Sequence, residues 1–217
     1  MAGERPSRVE RREFFIDVVG HLVAEEGLAA VTMERIAVLA EVSKPVLYSH
    51  FADRGALLTA LLERCWRELD ATVQAKLRTA RTLDESLEAV VTGYFDELDR
   101  QGRVLQLMVT SGWHEPSVDE ARRSRHRAAE RQWSTFYQQR LGLRSSVADP
   151  ASAILRSALQ GAAAYRIDHP EVPADEIVAT CLAVMRAGLD RLRREQRVRR
   201  VAPSAAAPRP RTSRARS

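Results

Sequence analysis

The sequence predicts an all-α fold. Apolar residues recur at intervals of three and four along most of the 217 residues, as at Phe15, Val18, Val19, Leu22 and Val23. That spacing places them on one face of a helix. No segment alternates apolar and polar residues over the length a strand needs. Capping residues, prolines and glycines mark the ends of about nine helices.

Helix boundaries are clear in the first part of the chain. Two short apolar segments, near 33–40 and 44–50, follow a longer first helix and precede another long one. Pro45 is tolerable in the third helix because first-turn N–H groups have no intrahelical partner. The expected closing residue of the first helix is Gly27, and the expected N-cap residues of the next three helices are Thr32, Ser43 and Asp53.

The remaining boundaries predict five more helices. Thr82 to Glu85 form a capping-box pattern, and Gly102 ends the helix that follows. The other expected segments are a short helix over 103–111, a charged helix from Pro116 to about Leu141, one that starts after an Asp149 cap with Pro150 at its first position, and one from Pro173 to about Arg199.

The net charge of +5 is unevenly distributed. Residues 191–217 hold ten arginines and one glutamate, which leaves residues 1–190 with a net charge of −4. The end of this segment is rich in proline and alanine, a composition that does not favour a packed structure. We therefore expect a domain over 1–54, a second over 55–200, and a disordered basic tail over 201–217.

Several classes of protein are disfavoured by the sequence. It has no apolar run long enough for a transmembrane helix and no secretory leader, so a cytoplasmic location is expected. Cys65 and Cys181 lack metal-ligand spacing and are expected to be buried, reduced thiols. The five histidines form no tight ligand pair, and neither a glycine-rich phosphate loop nor a GxSxG motif occurs. We therefore predict no enzyme activity, metal or cofactor.

The segment "VSKPVLYSHF", residues 42–51, combines core and surface character. Two short helices joined by three or four residues form a helix-turn-helix, whose second helix lies in the DNA major groove. The residues expected to hold this unit to the core are Ile36, Leu39, Val42, Leu47 and Phe51. Those expected to face outward are Lys44, Pro45, Val46 and Tyr48.

The segment from Phe15 to Leu58 resembles the tetracycline-repressor (TetR) family of bacterial transcription regulators. The resemblance rests on Gly27, Thr32, "IA" at 36–37, "VSK..LY..F" over 42–51, and Arg54 before "ALL". It implies phosphate contacts by Thr32, Ser43, Tyr48 and His50, a base or phosphate contact by Lys44, and a clamp on the DNA backbone by Arg54. Alternatively, Tyr48 is a packed surface aromatic, and His50 only faces the helix C-terminus.

Two positions depart from the family pattern. Glu41 stands where the family usually has a turn glycine, and a left-handed conformation there costs on the order of 1 kcal/mol; a different turn is the alternative. Pro45 and Val46 replace small or hydroxyl-bearing residues, which suggests apolar contact with thymine methyl groups. Both departures leave the operator sequence open.

The last two helices carry small and apolar residues at helical spacing. The stripes are Ile154, Leu155, Ala158, Leu159 and Ala162 in one helix, and Ile177, Cys181, Val184, Met185 and Gly188 in the other. The resemblance implies a four-helix bundle formed by two subunits. A dimer also suits a helix-turn-helix, which contacts only a few base pairs alone. The alternative is an intramolecular core.

Aromatic residues between these regions suggest a binding pocket, although plain core filling is equally consistent with each ring. The predicted ligand-binding residues are Trp66, Tyr94, Met108, Trp113, Trp133, Phe136 and Tyr137, with polar contacts from His114 and Arg131. In the family such pockets bind effectors. The resulting expectation is a homodimeric repressor that a bulky, apolar small molecule releases from a palindromic operator. The alternative is a helical adaptor or a nonspecific nucleoid-type DNA-binding protein.

Overall fold

The structure is a computed structural model that describes residues 7–102, 104–105 and 115–201. These residues form eight α-helices and one 3₁₀ turn, and no strand occurs among them. The helices are α1 (Arg8–Glu26), α2 (Met33–Leu39), α3 (Lys44–Tyr48), α4 (Arg54–Leu77), α5 (Leu83–Gln101), α6 (Pro116–Leu141), α7 (Ser145–Asp168) and α8 (Ala174–Val201); the 3₁₀ turn is Leu28–Ala30. The predicted all-α class is confirmed.

Helices α1 to α3 pack around one apolar centre with the start of α4. Phe15 of α1, Ile36 of α2, Leu47 of α3 and Leu58 of α4 are each fully buried there. Burying side chains of this size stabilises the fold by roughly 1.5–3 kcal/mol each. Since α3 has only five residues, this packing rather than helix propensity holds it in place.

Most of the predicted helix ends are confirmed. Gly27 closes α1 with a φ of 84°, and its N–H donates to the Val23 carbonyl. The Thr32 and Asp53 side chains accept hydrogen bonds from the backbone N–H groups of α2 and α4. Both halves of the capping box at Thr82 and Glu85 are present.

Helices α4 to α8 form the second part of the molecule. The pairs α4–α5 and α6–α7 pack closely, while α8 lies against α5 and α7. A close crossing of α4 and α5 occurs at Gly93, where a Cβ atom would lie 3.2 Å from the Val73 Cα atom. The first half of α4 therefore belongs to the core of the first three helices, and its second half to this bundle.

Two sequence predictions about the helices were wrong. Helix α7 begins at Ser145, so Asp149 is not its cap and Pro150 lies inside it; the Asp149 carboxylate instead accepts a hydrogen bond from the Ser134 hydroxyl of α6. Leu39 is not a core residue, because it lies on the outer side of α2 and is 49% exposed.

Two predicted segments lie mostly outside the part of the chain that the structure describes. The helix expected over 103–111 and the tail expected over 201–217 lie, apart from residues 104, 105 and 201, outside the described residues.

Cys65 and Cys181 are both buried and unpaired, as expected. Among the described helices, none combines the length and apolar character that crossing a membrane requires.

Candidate functional site

Helix α3 presents a polar surface on an apolar anchor. Leu47 is fully buried, whereas Ser43, Lys44, Pro45 and Tyr48 are exposed. Ser43 occupies the N-cap position, but its hydroxyl makes no capping hydrogen bond. Its O–H group is therefore available to an external acceptor. Val46 is half-buried against the core, so it offers less apolar surface than Pro45.

The turn before α3 has a strained residue. Glu41 adopts a φ of 53°, and no other non-glycine residue in the described ranges has a positive φ. The left-handed turn usually made with glycine is therefore retained, and the alternative turn geometry is not adopted. The Val42 N–H donates to the Ala37 carbonyl at 3.0 Å, which ties the turn back to α2.

Two predicted DNA-contact side chains already have partners in the protein. The Thr32 hydroxyl accepts from the Arg35 N–H at 3.1 Å, which leaves its own proton free to donate. The Lys44 ammonium lies 2.8 Å from the Glu34 carboxylate, and both side chains are more than half exposed. Such an exposed pair contributes at most about 1 kcal/mol, so a phosphate group can compete for Lys44.

His50 packs at the other end of α3. Its ring meets Phe15 edge-on with 5.3 Å between centroids, and its Nδ1 atom is buried without a hydrogen-bond partner. Burial lowers the pKa of His50, and Arg8, Arg11 and Arg12 lower it further. A neutral ring makes a weaker phosphate ligand than a charged one, so any such contact relies on hydrogen bonding.

The same arginines form a basic group that sequence reasoning missed. The Arg8 guanidinium donates to the Ser49 carbonyl at 3.2 Å, and Arg12 lies 4.4 Å from the centroid of the Phe51 ring. With Arg11 they line the edge of α1 next to the end of α3. The basic run "RVERRE" was visible in the sequence, but only the packing of α1 shows that it adjoins α3.

Arg54 has a different role from the one expected. Its Nε and one terminal nitrogen donate to the carbonyls of Val31 (2.7 Å) and Leu28 (2.9 Å), and its other terminal nitrogen pairs with Glu115. All three nitrogens are thus engaged within the protein. Arg54 therefore clamps the turn before α2 to the N-terminus of α6, and it is not presented as a DNA-backbone ligand.

Three of the predicted pocket aromatics surround one cavity. Trp66 of α4, Tyr94 of α5 and Trp133 of α6 line a cavity of about 130 Å³. Burial raises the pKa of Tyr94 to about 12, so its hydroxyl stays protonated. A second cavity of about 80 Å³, lined by Tyr137 and Met185, shares Trp133 as a wall.

The other predicted pocket residues lie elsewhere. Phe136 packs against Trp133 with 5.3 Å between ring centroids, but it lines neither cavity. Arg131 is exposed and also lines neither. Met108, Trp113 and His114 lie outside the described residues. The polar groups that do line the larger cavity, which include His126 and Arg156, were not predicted.

An apolar groove of about 470 Å³ runs between α7 and α8 on the outside of the bundle. Its walls include Ala162, Tyr165 and Val184, and Val184 is 61% exposed. The predicted stripes are therefore divided between two faces. Leu155, Leu159, Ile177, Cys181 and Met185 are buried within the chain, whereas Ile154, Val184 and Gly188 face outward.

These features are those of a helix-turn-helix unit joined to a helical bundle, and comparison with known proteins agrees. Residues 17–61 match the family described as "Bacterial regulatory proteins, tetR family". The matched segment covers α1 from Asp17, α2, α3 and the start of α4.

Relatives and solved structures give further detail. The HTH-type transcriptional activator FasR of Mycolicibacterium smegmatis is 33% identical over 117 residues, which are 54% of this chain and 53% of that protein. The nucleoid occlusion factor SlmA of Actinobacillus pleuropneumoniae is 31% identical over 83 residues, 38% of this chain and 41% of that one. A TetR-family transcriptional regulator from Rhodococcus sp. is 18% identical with a TM-score of 0.68, over 82% of this chain and 98% of that one.

The similarity is uneven along the chain. The chain spans about half the length of the curated relative FasR and less of SlmA. The Rhodococcus likeness, at low identity, shows a shared fold over most of the chain. The relatives just named carry the names of transcription regulators or of a nucleoid occlusion factor.

Proposed function

We propose that this protein is a transcription regulator that binds operator DNA as a homodimer and changes its DNA affinity when a small molecule occupies its C-terminal domain. The observation that carries the proposal is the exposure of Ser43, Lys44, Pro45 and Tyr48 on a helix anchored by Leu47. In a helix-turn-helix, these N-terminal residues of the second helix meet base edges and phosphates.

The DNA-contact surface extends beyond α3. Thr32 and Ser43 have hydroxyl protons to donate. Lys44 and the three arginines of α1 described above bring positive charge. Phosphate contacts position a protein on DNA, and base contacts supply specificity. We assign the hydroxyls and α1 arginines to phosphates, and the Pro45 and Tyr48 face to the bases. Because Arg54 is engaged internally, it supports this surface indirectly.

The groove between α7 and α8 supports the homodimer. An exposed apolar surface of this kind is typical of a protein–protein contact. A Cβ atom added at Gly161 or Gly188 would meet nothing within 4 Å beyond its own helix, so each glycine leaves room for the close approach of another helix. Pairing the same two helices from each subunit would give a two-fold four-helix interface, in which each subunit presents the same patch.

Helix α4 supplies the connection between the sites. Leu57 and Leu58 near its start pack in the DNA-binding core, and Trp66 further along lines the cavity. Arg64 of α4 also pairs with Asp17 of α1. A ligand that moves Trp66 would therefore move α4 against α1. In a dimer this would change the spacing of the two α3 helices, which must match successive major grooves about 34–36 Å apart.

We place this activity in the cytoplasm, where the chromosome is, and favour repression. Release of a repressor requires the ligand to bind the DNA-incompetent form more tightly; a ten- to hundredfold change in affinity corresponds to about 1.4–2.8 kcal/mol. FasR is named as an activator, so the direction of regulation needs a reporter assay with and without the protein.

The DNA-binding proposal is tested with Lys44→Ala and Tyr48→Ala. Each should weaken operator binding by about 1–3 kcal/mol if it contacts a base; if Lys44 contacts a phosphate, Lys44→Ala should reduce the salt slope by about one. Lys76→Ala is a matched control, since Lys76 is also ion-paired, at 2.7 Å to Asp96, but lies at the far end of α4. Fluorescence anisotropy with a labelled operator at two salt concentrations measures both quantities. Unchanged affinity in both α3 variants would contradict the proposal.

A nonspecific nucleoid-type role is the second candidate, and the similarity to the nucleoid occlusion factor SlmA favours it over an adaptor role. The same titration separates the two proposals. A regulator binds its operator typically 10³–10⁷ times more tightly than random DNA. A nucleoid-type protein would show similar affinities for both and a steep salt dependence throughout.

A further inference from the structure

Part of the lining of the cavity beside Trp66 and Trp133, here called the polar wall, consists of charged and polar side chains. Arg125 and His126 of α6 and Arg156 and Gln160 of α7 all line it, together with Asp70 of α4. A cavity for a purely apolar molecule would not need these groups. The other lining residues are apolar or aromatic, so the cavity offers both polar and apolar contacts.

Hydrogen bonds connect these polar groups across two helices. Arg156 donates from Nε to Glu130 at 2.9 Å and from a terminal nitrogen to the Gln160 carbonyl oxygen at 2.6 Å. The Gln160 amide nitrogen then lies 3.4 Å from His126 Nε2. Since an amide nitrogen only donates, His126 Nε2 accepts in this arrangement, and the imidazole is neutral.

The charges around His126 are balanced when the ring is neutral. The charged or titratable groups that face it are Asp70 on α4, Tyr94 on α5, Arg122, Arg125 and Glu130 on α6, and Arg156 on α7. Each arginine has a carboxylate partner: Arg122 pairs with Asp119, Arg125 with Asp70, and Arg156 with Glu130. Burial lowers the pKa of His126 to about 4, helped by the three arginines and opposed by Glu130.

We propose that this cavity binds an amphipathic carboxylate, with its acid group beside Arg125 and Arg156 and its apolar part against the aromatic wall. We further propose that His126 takes up a proton from solvent when the acid binds. This rests on the proposed ligand response and sharpens it: the effector is an apolar acid and not a neutral apolar molecule.

Hydrogen-bonding capacity supports an acid group. Each guanidinium has five N–H donors, and among the described residues Arg125 donates from one terminal nitrogen, to Asp70. Planar carboxylates match the geometry of these donors, and charge-assisted hydrogen bonds are about twice as strong as neutral ones. A neutral apolar ligand would displace water from the same N–H groups without replacing its hydrogen bonds, which is unfavourable. The polar wall therefore selects for the acid.

Charge balance explains the proton uptake. An anion added to the balanced cluster leaves one negative charge without compensation. Protonation of His126 restores the balance, and the nearby anion favours the charged ring. Binding therefore raises the affinity of His126 for a proton. Because the free ring is neutral above about pH 4, anion binding should tighten as the pH falls from 7.5 towards 5.5.

The aromatic wall suggests how binding reaches α4. The larger and smaller cavities, about 130 and 80 Å³, are separated in part by Trp133. Neither alone has the 300–1,000 Å³ typical of a site for a drug-sized molecule. A ligand tail longer than a few carbons must displace Trp133 or Trp66, so tryptophan emission should report its binding.

The experiment compares decanesulfonate, decanoate and decanol by tryptophan fluorescence titration at pH 7.5 and 5.5. The sulfonate stays charged throughout, so its pH dependence belongs to the protein. We expect both anions to bind about tenfold more tightly than the alcohol at pH 7.5, the factor expected for one charge-assisted hydrogen bond. The sulfonate should bind still more tightly at pH 5.5. Calorimetry in two buffers of different ionisation enthalpy should show proton uptake.

Three variants assign the effects to residues. Arg156→Gln should remove the preference for the anions, and His126→Gln should remove the pH dependence and proton uptake while leaving decanol binding unchanged. Arg131→Gln removes a charge from the same helix outside the cavity and should behave as wild type. Thermal melts establish that each variant is folded, and Arg125→Gln replaces Arg156→Gln if the latter is not.

The outcomes separate this inference from the proposed function. Equal affinity for decanol and the anions in wild type, or unchanged pH dependence in His126→Gln, overturns the acid site even if decanol weakens operator binding. If the anions bind with the expected preference but leave operator affinity unchanged, the acid site stands and the ligand-responsive regulator does not.

Discussion

The two parts of the molecule use their apolar residues differently. In the α1–α3 unit, Phe15, Ile36 and Leu47 are fully buried, and the functional side chains stand on the outside. In the α4–α8 bundle, large rings line partly open cavities, and an apolar groove remains on the surface. A close-packed interior resists deformation. The first part therefore presents a fixed surface, and the second retains space in which packing can change.

This difference indicates where the proposed ligand response would arise. A site that must match the spacing of DNA grooves benefits from rigidity, whereas a ligand can shift an equilibrium only where two arrangements are available. Helix α4 belongs to both regions. Arg54 at its start links the turn before α2 to Glu115 at the N-terminus of α6. The following predictions test the division into a rigid region and an adaptable one.

The largest expected effect is at the external groove. Val184→Arg would place an unpaired charge in the proposed dimer interface, at a cost of about 3–5 kcal/mol. Because Val184 is exposed in the single chain, the subunit should still fold, and sedimentation velocity should show a monomer. Ala179→Arg adds the same charge to an exposed position of α8 that does not line the groove, and it should remain dimeric. A dimeric Val184→Arg protein would mean that the subunits associate elsewhere.

The second largest effect is expected at Arg54, which links the two regions. Arg54→Gln should lower the free energy of unfolding by about 2 kcal/mol, because it removes the donors to two loop carbonyls and the partner of Glu115. Chemical denaturation measures the loss. Arg35→Gln breaks an exposed pair with Glu26 and should change stability by less than about 1 kcal/mol. A similar loss of unfolding free energy in both variants would show that the Arg54 clamp stabilises the fold no more than an exposed ion pair does.

A smaller effect is expected at the α4–α5 crossing. Gly93→Ala places a methyl group 3.0 Å from a Val73 methyl and 3.2 Å from its Cα atom. Overpacking of this kind costs typically 1–3 kcal/mol. At Gly20, by contrast, a methyl would meet the flexible ends of Arg64 and Leu61 at 3.3 and 3.5 Å, so Gly20→Ala should be nearly neutral. A stabilised Gly93→Ala protein would show that α4 and α5 separate easily, contrary to the packing described.

The smallest effect is the acid sensitivity of the unliganded bundle. The pKa of His126 in the folded state is about 4, below the usual value of about 6.5 in an unfolded chain. The unfolded state therefore binds the proton more readily, and stability should fall as pH decreases from about 6.5 to 4. Since the ring is only half-buried, about 1 kcal/mol is expected after allowance for solvent screening. His126→Gln should lose less stability than wild type over this range, measured by thermal denaturation at several pH values.

The helix-turn-helix end could be predicted from sequence because its signals are local. Gly27, Thr32 and Asp53 act within a turn or two of their own positions, and all three have the expected roles. The exposure of Lys44 and Tyr48 follows from the spacing of Leu47 and Phe51. Leu39 was misassigned because periodicity identifies a helix face but not how far the neighbouring elements extend over it.

The second domain was less predictable because its features depend on distant residues. Arg54 meets Glu115 across 61 positions, and the polar wall joins α4, α6 and α7. The aromatic residues were identifiable from sequence, but the distribution of Trp133 and Phe136 between cavity and surface depends on the rotation of α6. The Asp149–Pro150 signal failed because the Ser134 hydroxyl binds Asp149 and the preceding residues already form a turn of α7.

Glu41 has a consequence for how this domain could change by mutation. Its left-handed backbone costs on the order of 1 kcal/mol, which a glycine would not incur. A single nucleotide substitution converts either glutamate codon into a glycine codon, and the same change removes a negative charge beside α3. In the proposed complex, this one step would both stabilise the domain and reduce repulsion of the DNA backbone. The present sequence is thus one base change away from a longer residence time on the proposed operator.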